Sequence, residues 1–293
     1  VQSTVVLSRS RRLHAYLALT KPRIIELLLI TTLPAMALAA DGWPGTWPAI
    51  ATLFGGALTA GGANALNSYL DRDIDEVMRR TARRPLPSHQ VRPELAARFG
   101  WALGAAGTLW LYLTTNWLAA LLAASALLFY VFVYTMALKR TTRQNIVIGG
   151  AAGAAPVLVG WAAVTGSLAL PAWVMFAVVF AWTPPHFWAL ALRYQDDYAR
   201  AGVPMLPVVV GTAATARQML LYSGVTVLAS LALIPLTGLR WIYLLTALLL
   251  GGWLIVESVR VLRNPARAMA LFTFSTAYLS ALFGAILVDR LVF

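Results

Sequence analysis

Asn67, Asp71 and Asp75 stand four residues apart in the stretch NSYLDRDIDEVMRRTARRPLP, residues 67 to 87. That spacing puts one amide and two carboxylates on a single face of a helix. Such a row of oxygens suits a hard divalent cation such as Mg²⁺, which takes carboxylate ligands and commonly shares its coordination with phosphate. Arg79 and Arg83 continue the row, Arg80 and Arg84 run beside it, and Asp73 points elsewhere. Arginine offers phosphate a planar fork of donors, so the stretch predicts a site for a metal-bridged diphosphate. A solvated loop of paired charges is the plainer account. Exposed pairs contribute at most ~1 kcal/mol, and they would require neither the spacing nor an asparagine one turn deeper.

A second acidic group lies in ALRYQDDYAR, residues 191 to 200. Asp196 and Asp197 are candidate ligands for a second metal, with Arg193, Tyr194 and Arg200 beside them. Lys139 and Arg140 come from a third segment, where they either reach the same diphosphate or serve topology only. His186, in TPPHFW, is set among apolar residues. Ionisable groups in membrane helices usually face the bundle interior, so His186 is either a functional contact or a hydrogen-bonded packing residue. Pro184 and Pro185 are expected to bend or break the helix there, freeing backbone groups that suit a cavity wall. His14 and His89 read as solvated, and Glu26 as a partner for Arg23 or part of a cavity rim.

The surrounding chain sets these groups at a membrane edge. Of 293 residues, 60% are hydrophobic and 12% charged, and there is no cysteine. Disulfides and thiolate metal sites are therefore excluded. Apolar runs of about 20 residues match the thickness of a hydrocarbon core. They predict nine spans, at 24–41, 48–70, 97–115, 118–138, 146–165, 169–191, 218–237, 241–259 and 269–288. The fold class is all-α and polytopic, read as a single domain over 1–293. The run 24–41 is taken as a retained helix rather than a signal peptide. The net charge of +12 does not signal nucleic acid, because 21 of the 23 basic residues fall in alternate loops. Only Arg240 and Arg290 lie on the other side. The excess of Lys and Arg on one side places the N-terminal segment 1–23 in the cytoplasm and the C-terminus outside. A bacterial plasma membrane is expected.

The loops 71–96 and 192–217 then share the cytoplasmic face, four spans apart, each opening on aspartates. This suggests two four-helix halves plus a ninth helix, with the site between the halves. Gly- and Ala-rich runs at 55–66 and 149–156 allow close helix approach or leave room for a large apolar ligand. Tryptophans in the opposite loops suit interfacial anchoring. A diphosphate held at the edge of such a bundle fits an isoprenoid donor with its tail among the helices. A secondary transporter would instead place its acids near the midplane.

Asn67-x-x-x-Asp71-x-x-x-Asp75 resembles the first aspartate motif of the UbiA-type intramembrane prenyltransferases, and the segment around Asp196 and Asp197 resembles their second. LTKPRIIELLLITT (19–32), YTMALKRTTRQNIVIGGAAGA (134–154), WTPPHFWALALRYQDDYARAGVPMLPVVVG (182–211) and FTFSTAYLSALF (272–283) extend the likeness, most closely to the branch that uses haem. Ser68 departs from it, since an acidic residue often follows the asparagine, and Asp73 is an extra carboxylate. The resemblance implies nine helices around a central cavity and Mg²⁺-dependent transfer of farnesyl from farnesyl diphosphate to a vinyl group of haem B. It implies a catalytic set of Asn67, Asp71, Asp75, His186 and Asp197. Metal ligands would be Asn67, Asp71, Asp75, Asp196 and Asp197. Substrate would meet Arg80, Arg84, Lys139, Arg140, Arg193 and Tyr194, with Tyr134 a further pocket residue. Haem A synthase or a terminal-oxidase assembly factor is the partner it implies. A quinone precursor such as 4-hydroxybenzoate is the alternative acceptor.

Overall fold

The computed structural model describes residues 8–293, the side chain of Leu28 aside. Residues 1–7 of the expected N-terminal segment lie outside the described residues. All regular structure described is helical. A short helix, α1 (Arg9–Leu19), leads into α2 (Pro22–Ala40) and α3 (Thr46–Leu70). A six-residue helix α4 (Arg72–Val77) precedes α5 (Pro93–Thr114) and α6 (Trp117–Leu128), which runs on as a π-helix over Phe129–Leu138. Then come α7 (Asn145–Thr165), α8 (Leu170–Arg193), a second six-residue helix α9 (Gln195–Arg200), α10 (Leu206–Thr237), α11 (Trp241–Arg263) and α12 (Ala268–Val292).

Eight helices are long and apolar enough to cross a membrane: α2, α3, α6 with its π continuation, α7, α8, α10, α11 and α12. The protein is a multi-pass membrane protein. The expected span 97–115 does form a 22-residue helix, α5, packed along α3. Its glycines and Arg98 leave it short of that apolarity, so the described residues support eight spans by this measure where nine were expected. The expected span 218–237 is also too short. Helix α10 starts at Leu206 and carries a break at Gly211, whose φ of 78° suits glycine. The expected loop 192–217 therefore ends about where α10 begins. Nor do Pro184 and Pro185 stop α8, which runs through both to Arg193.

Small residues do the close packing. A Cβ on Gly62 would lie 2.6 Å from the Gly100 carbonyl oxygen and 2.6 Å from the Gly104 nitrogen, so α3 and α5 touch backbone to backbone. Lipid tails supply no hydrophobic drive between helices, and such contact is what holds them. Helix α2 packs on both α7 and α12 and joins the two parts of the bundle. One core, from Ala35 through Ile74, Tyr134, Trp188 and Tyr198 to Phe283, runs through both. Exposed Trp43, Trp47, Trp117, Trp173 and Trp241 ring the end opposite the arginine-rich loops, as expected of a belt.

Candidate active site

Helix α3 ends at Leu70, and Asp71 leaves helical geometry at φ −92°, ψ 6° before α4 begins. Backbone bonds carry the row across this nick: Asp71 N donates to the Asn67 carbonyl at 2.9 Å, and Asp75 N to that of Asp71 at 2.8 Å. Asn67, Asp71 and Asp75 therefore keep one face and are buried, Asp71 completely. The row stops there. Met78 turns extended, so Arg79 and Arg83 stay exposed and do not continue it as the spacing predicted. The chain doubles back instead, and Arg84 Nη1 donates to both Asp75 oxygens at 2.9 and 2.8 Å.

Two other segments complete this tip. Lys21 Nζ donates to Asn67 Oδ1 at 2.6 Å. Asn67 Nδ2 donates to Asp71 Oδ2 at 2.7 Å and to Thr135 Oγ1 at 3.1 Å. Thr135 lies in the π-helical stretch, whose wide turns end where Lys139 N donates five residues back to Tyr134 O. Lys139 then pairs with Asp71 Oδ2. Asp71 Oδ1 is buried and has no hydrogen-bond partner among the described residues. Arg140 goes elsewhere: it grips both Asp73 oxygens at 2.7 Å and the Leu70 carbonyl at 2.9 Å, closing the end of α3. That bond holds the Asp73 carboxyl at about 2, below its usual value. Asp73 thereby tethers Arg140.

Desolvation pushes the Lys21 ammonium down to about 7. The neighbouring Arg84 adds to the effect, and Asp75 and Asp71 oppose it.

The second tip repeats the pattern. Helix α8 gives way at Tyr194 (φ −113°, ψ 28°) to six-residue α9, with Asp196 and Asp197 in its first turn. Asp197 is buried and pairs with Arg200. Asp196 and Arg193 are exposed, and neither has a hydrogen bond or ion pair among the described residues. Arg80 crosses from the first tip to lie 5.5 Å over the Tyr194 ring. Burial raises the Tyr198 phenol above its ordinary value, with Arg80 and Arg84 opposing. The two loops thus converge through arginine and tyrosine. Among the described residues no three His, Asp or Glu side chains form a ready-made metal cluster; Asp71, Asp75 and Asp197 are each matched to a cation instead.

His186 sits apart, on α8 against α12. Its ring stacks between Trp182, 4.2 Å away, and Phe272, 4.4 Å away, and Nδ1 bonds the Ser275 hydroxyl at 2.8 Å.

Below the first tip lies a partly open apolar cavity of ≈ 140 Å³ between α2, α3, α6 and α7. Asn64 and Tyr130 line its upper end, and Gly56, Ala60, Ala126, Gly153 and Pro156 its walls. Asn64 is about one turn below Asn67, and Tyr130 stacks on Tyr134 at 5.3 Å. Charge and apolar space therefore adjoin.

Residues 28–283 match the UbiA prenyltransferase family. The chain belongs to that family. A relative from Clavibacter sepedonicus, named protoheme IX farnesyltransferase, is 52% identical over 288 residues, covering 97% of this chain and 94% of its own. Among solved structures, one described as digeranylgeranylglyceryl phosphate synthase superposes with TM-score 0.79 at 18% identity, covering 97% of this chain and 100% of that one. A UbiA homolog from Archaeoglobus fulgidus, solved with DMAPP and Mg²⁺, gives TM-score 0.66 at 14% identity, covering 92% and 98%.

The residues of this UbiA family member fit a hard divalent cation. The donors are all oxygen, as Mg²⁺ prefers, and the unpartnered, fully buried Asp71 Oδ1 is an acceptor that protein groups leave free. Lys21, Tyr130 and Thr135 join the site without having been singled out by spacing. Lys21 is the nearest to legible, since KP opens a span, but a lysine before a membrane helix also serves topology.

Proposed function

We propose that this protein transfers the farnesyl group of farnesyl diphosphate to a vinyl group of haem B, giving haem O, at the cytoplasmic face of a bacterial plasma membrane. The carrying observation is the buried acid–cation cluster at the mouth of an apolar cavity, with one carboxylate oxygen unclaimed. Haem as acceptor rests on the name borne by relatives at 52% identity. In this reading the whole chain, 1–293, is one domain with its N-terminus in the cytoplasm and its C-terminus outside. The segments following α3 and α8, up to α5 and α10, carry the active site.

Asn67, Asp71 and Asp75 on one tip and Asp197 on the other are the oxygens that would hold Mg²⁺, with Asp196 exposed beside them. When bound, Mg²⁺ supplies positive charge to the leaving diphosphate. Arg80, Arg84, Lys139 and Arg193 donate to phosphate oxygens, while Arg140 stays on Asp73 and braces the end of α3; a carboxylate's loss of its cation partner is offset as that partner turns to the diphosphate. The bond between farnesyl C1 and the diphosphate oxygen breaks, leaving an allylic cation. Tyr130 and Tyr134 present aromatic faces that favour such a cation, Tyr194 helps to hold Arg80, and the cavity keeps water from capturing it. The terminal vinyl carbon of haem bonds to C1. Water then adds to the adjacent carbon and loses a proton, which leaves the hydroxyl of the product. His186 would be the haem contact in this reading; its ring plane is fixed by Trp182 and Phe272.

The test is to incubate purified protein with Mg²⁺, farnesyl diphosphate and haem B and to seek haem O by mass. A prenylated 4-hydroxybenzoate formed in its place would overturn the acceptor, and no product with either would overturn the reaction.

A further inference from the structure

Lys21 belongs to neither acidic tip. It lies at the joint between α1 and α2, in left-handed backbone geometry at φ 53°, ψ 64°, directly before Pro22. A non-glycine residue adopts that geometry at a cost that surrounding structure must over-determine. Asn64 supplies part of that constraint, its Nδ2 donating to the Thr20 carbonyl at 2.9 Å. The outcome of this local arrangement is one contact: Lys21 Nζ on Asn67 Oδ1 at 2.6 Å.

We propose that Lys21 is a diphosphate-binding residue that exchanges partners, occupying Asn67 Oδ1 until a divalent cation takes that oxygen and then turning to the phosphate. The inference rests on the prenyl-diphosphate reading and deepens it. Asn67 Oδ1 faces an ammonium in the place where a ligating oxygen would face the metal. Two cations at one carbonyl oxygen repel. A partly desolvated ammonium also needs an anion close by, because an unpaired buried charge is costly. Three other cations beside the buried acids are already paired: Lys139 with Asp71, Arg84 with Asp75, Arg200 with Asp197. The anion that arrives with the metal is therefore the group that can accept Lys21. This adds a third wall to the site, contributed by the segment before the first span, 46 residues from its partner in sequence.

The two roles open to Lys21 separate by sign. If it merely props Asn67 in place, its removal weakens every ligand. If it exchanges partners, its removal frees Asn67 for the metal and deprives the diphosphate. The experiment uses full-length purified wild type, Lys21→Met and Lys21→Arg, with Mn²⁺ followed by electron paramagnetic resonance and farnesyl thiodiphosphate as the non-reacting donor. The expected result for Lys21→Met is Mn²⁺ binding, without diphosphate, as tight as wild type or tighter. Its affinity for farnesyl thiodiphosphate in the presence of Mn²⁺ falls roughly tenfold or more, the loss of one charge-assisted hydrogen bond. Lys21→Arg recovers most of that loss. Lys21→Gln replaces Lys21→Met if the latter does not fold. Parallel weakening of both ligands, or no change in either, overturns the role of Lys21 while wild-type binding upholds the prenyl-diphosphate reading. Failure of the wild type to bind farnesyl thiodiphosphate overturns both.

Discussion

The two tips share a scaffold and differ in what they put on it. In each, a long helix ends in one non-helical residue and a six-residue helix follows. The first tip sets Asp71 at that joint; the second sets Tyr194 there. Four residues on, the first buries Asp75 and the second buries Tyr198. One tip is acidic where the other is aromatic, and Arg80 bridges them by lying on Tyr194. A repeated fold has been divided between two tasks: the first tip gathers charge for a metal and its phosphate, and the second supplies one buried carboxylate and the faces that hold an arginine in place.

That division can be broken at its strongest point first. Asp71→Asn removes the charge from the only carboxylate among the described residues with a buried, unclaimed oxygen. Farnesyl transfer is expected to fall by about a thousandfold, with an unchanged melting profile; wild-type turnover would remove Asp71 from the metal site. The second tip gives an internal control. Asp197→Asn alters a buried, paired acid and is expected to cost roughly a hundredfold, whereas Asp196→Asn alters an exposed one and is expected to stay within about threefold. Equal losses at 196 and 197 would mean that both ligate, as the resemblance implied.

A third test moves from the tips to the cavity. Nothing lies within 4 Å of where a Cβ would stand on Gly153, which lines the cavity wall. Gly153→Phe should fill that space, lowering the use of farnesyl diphosphate roughly tenfold relative to geranyl diphosphate. An unaltered ratio in competition assays would place the prenyl tail elsewhere. The smallest effect is at Asp73. Its carboxyl is held at about 2, so its pairing with Arg140 stabilises the fold above the ordinary carboxylate range and is lost as pH falls through 2. Because Asp73 is largely solvated, the discounted contribution is within about 0.5 kcal/mol. The melting difference between wild type and Asp73→Asn should shrink between about pH 4 and pH 2.

Much of this was legible because membrane spans and i, i+4 rows are local patterns. Apolar runs located the helices, and the row from Asn67 to Asp75 survived a nick in the helix because the backbone bonds continue across it. Contacts between distant segments were not legible. Lys21 meets Asn67 from 46 residues away, and Thr135 meets it from 68. The sequence around Thr135 reads simply as apolar, and nothing in it marks a change of winding. Periodicity also overran the first tip. It carried the row on to Arg79 and Arg83, where the chain had already turned and Arg84 was the residue that came back. At α5, small residues packed against α3 diluted the apolar signal that spans are recognised by.

The widened winding of Phe129–Leu138 has one consequence for how this protein can drift in evolution. It works as a stored phase angle between the lipid-facing stretch above and the ammonium below. Deleting a single residue there, such as Phe132, would rotate everything beyond it by roughly a quarter turn around the axis. Lys139 would then swing away from Asp71 with every charge in the molecule intact.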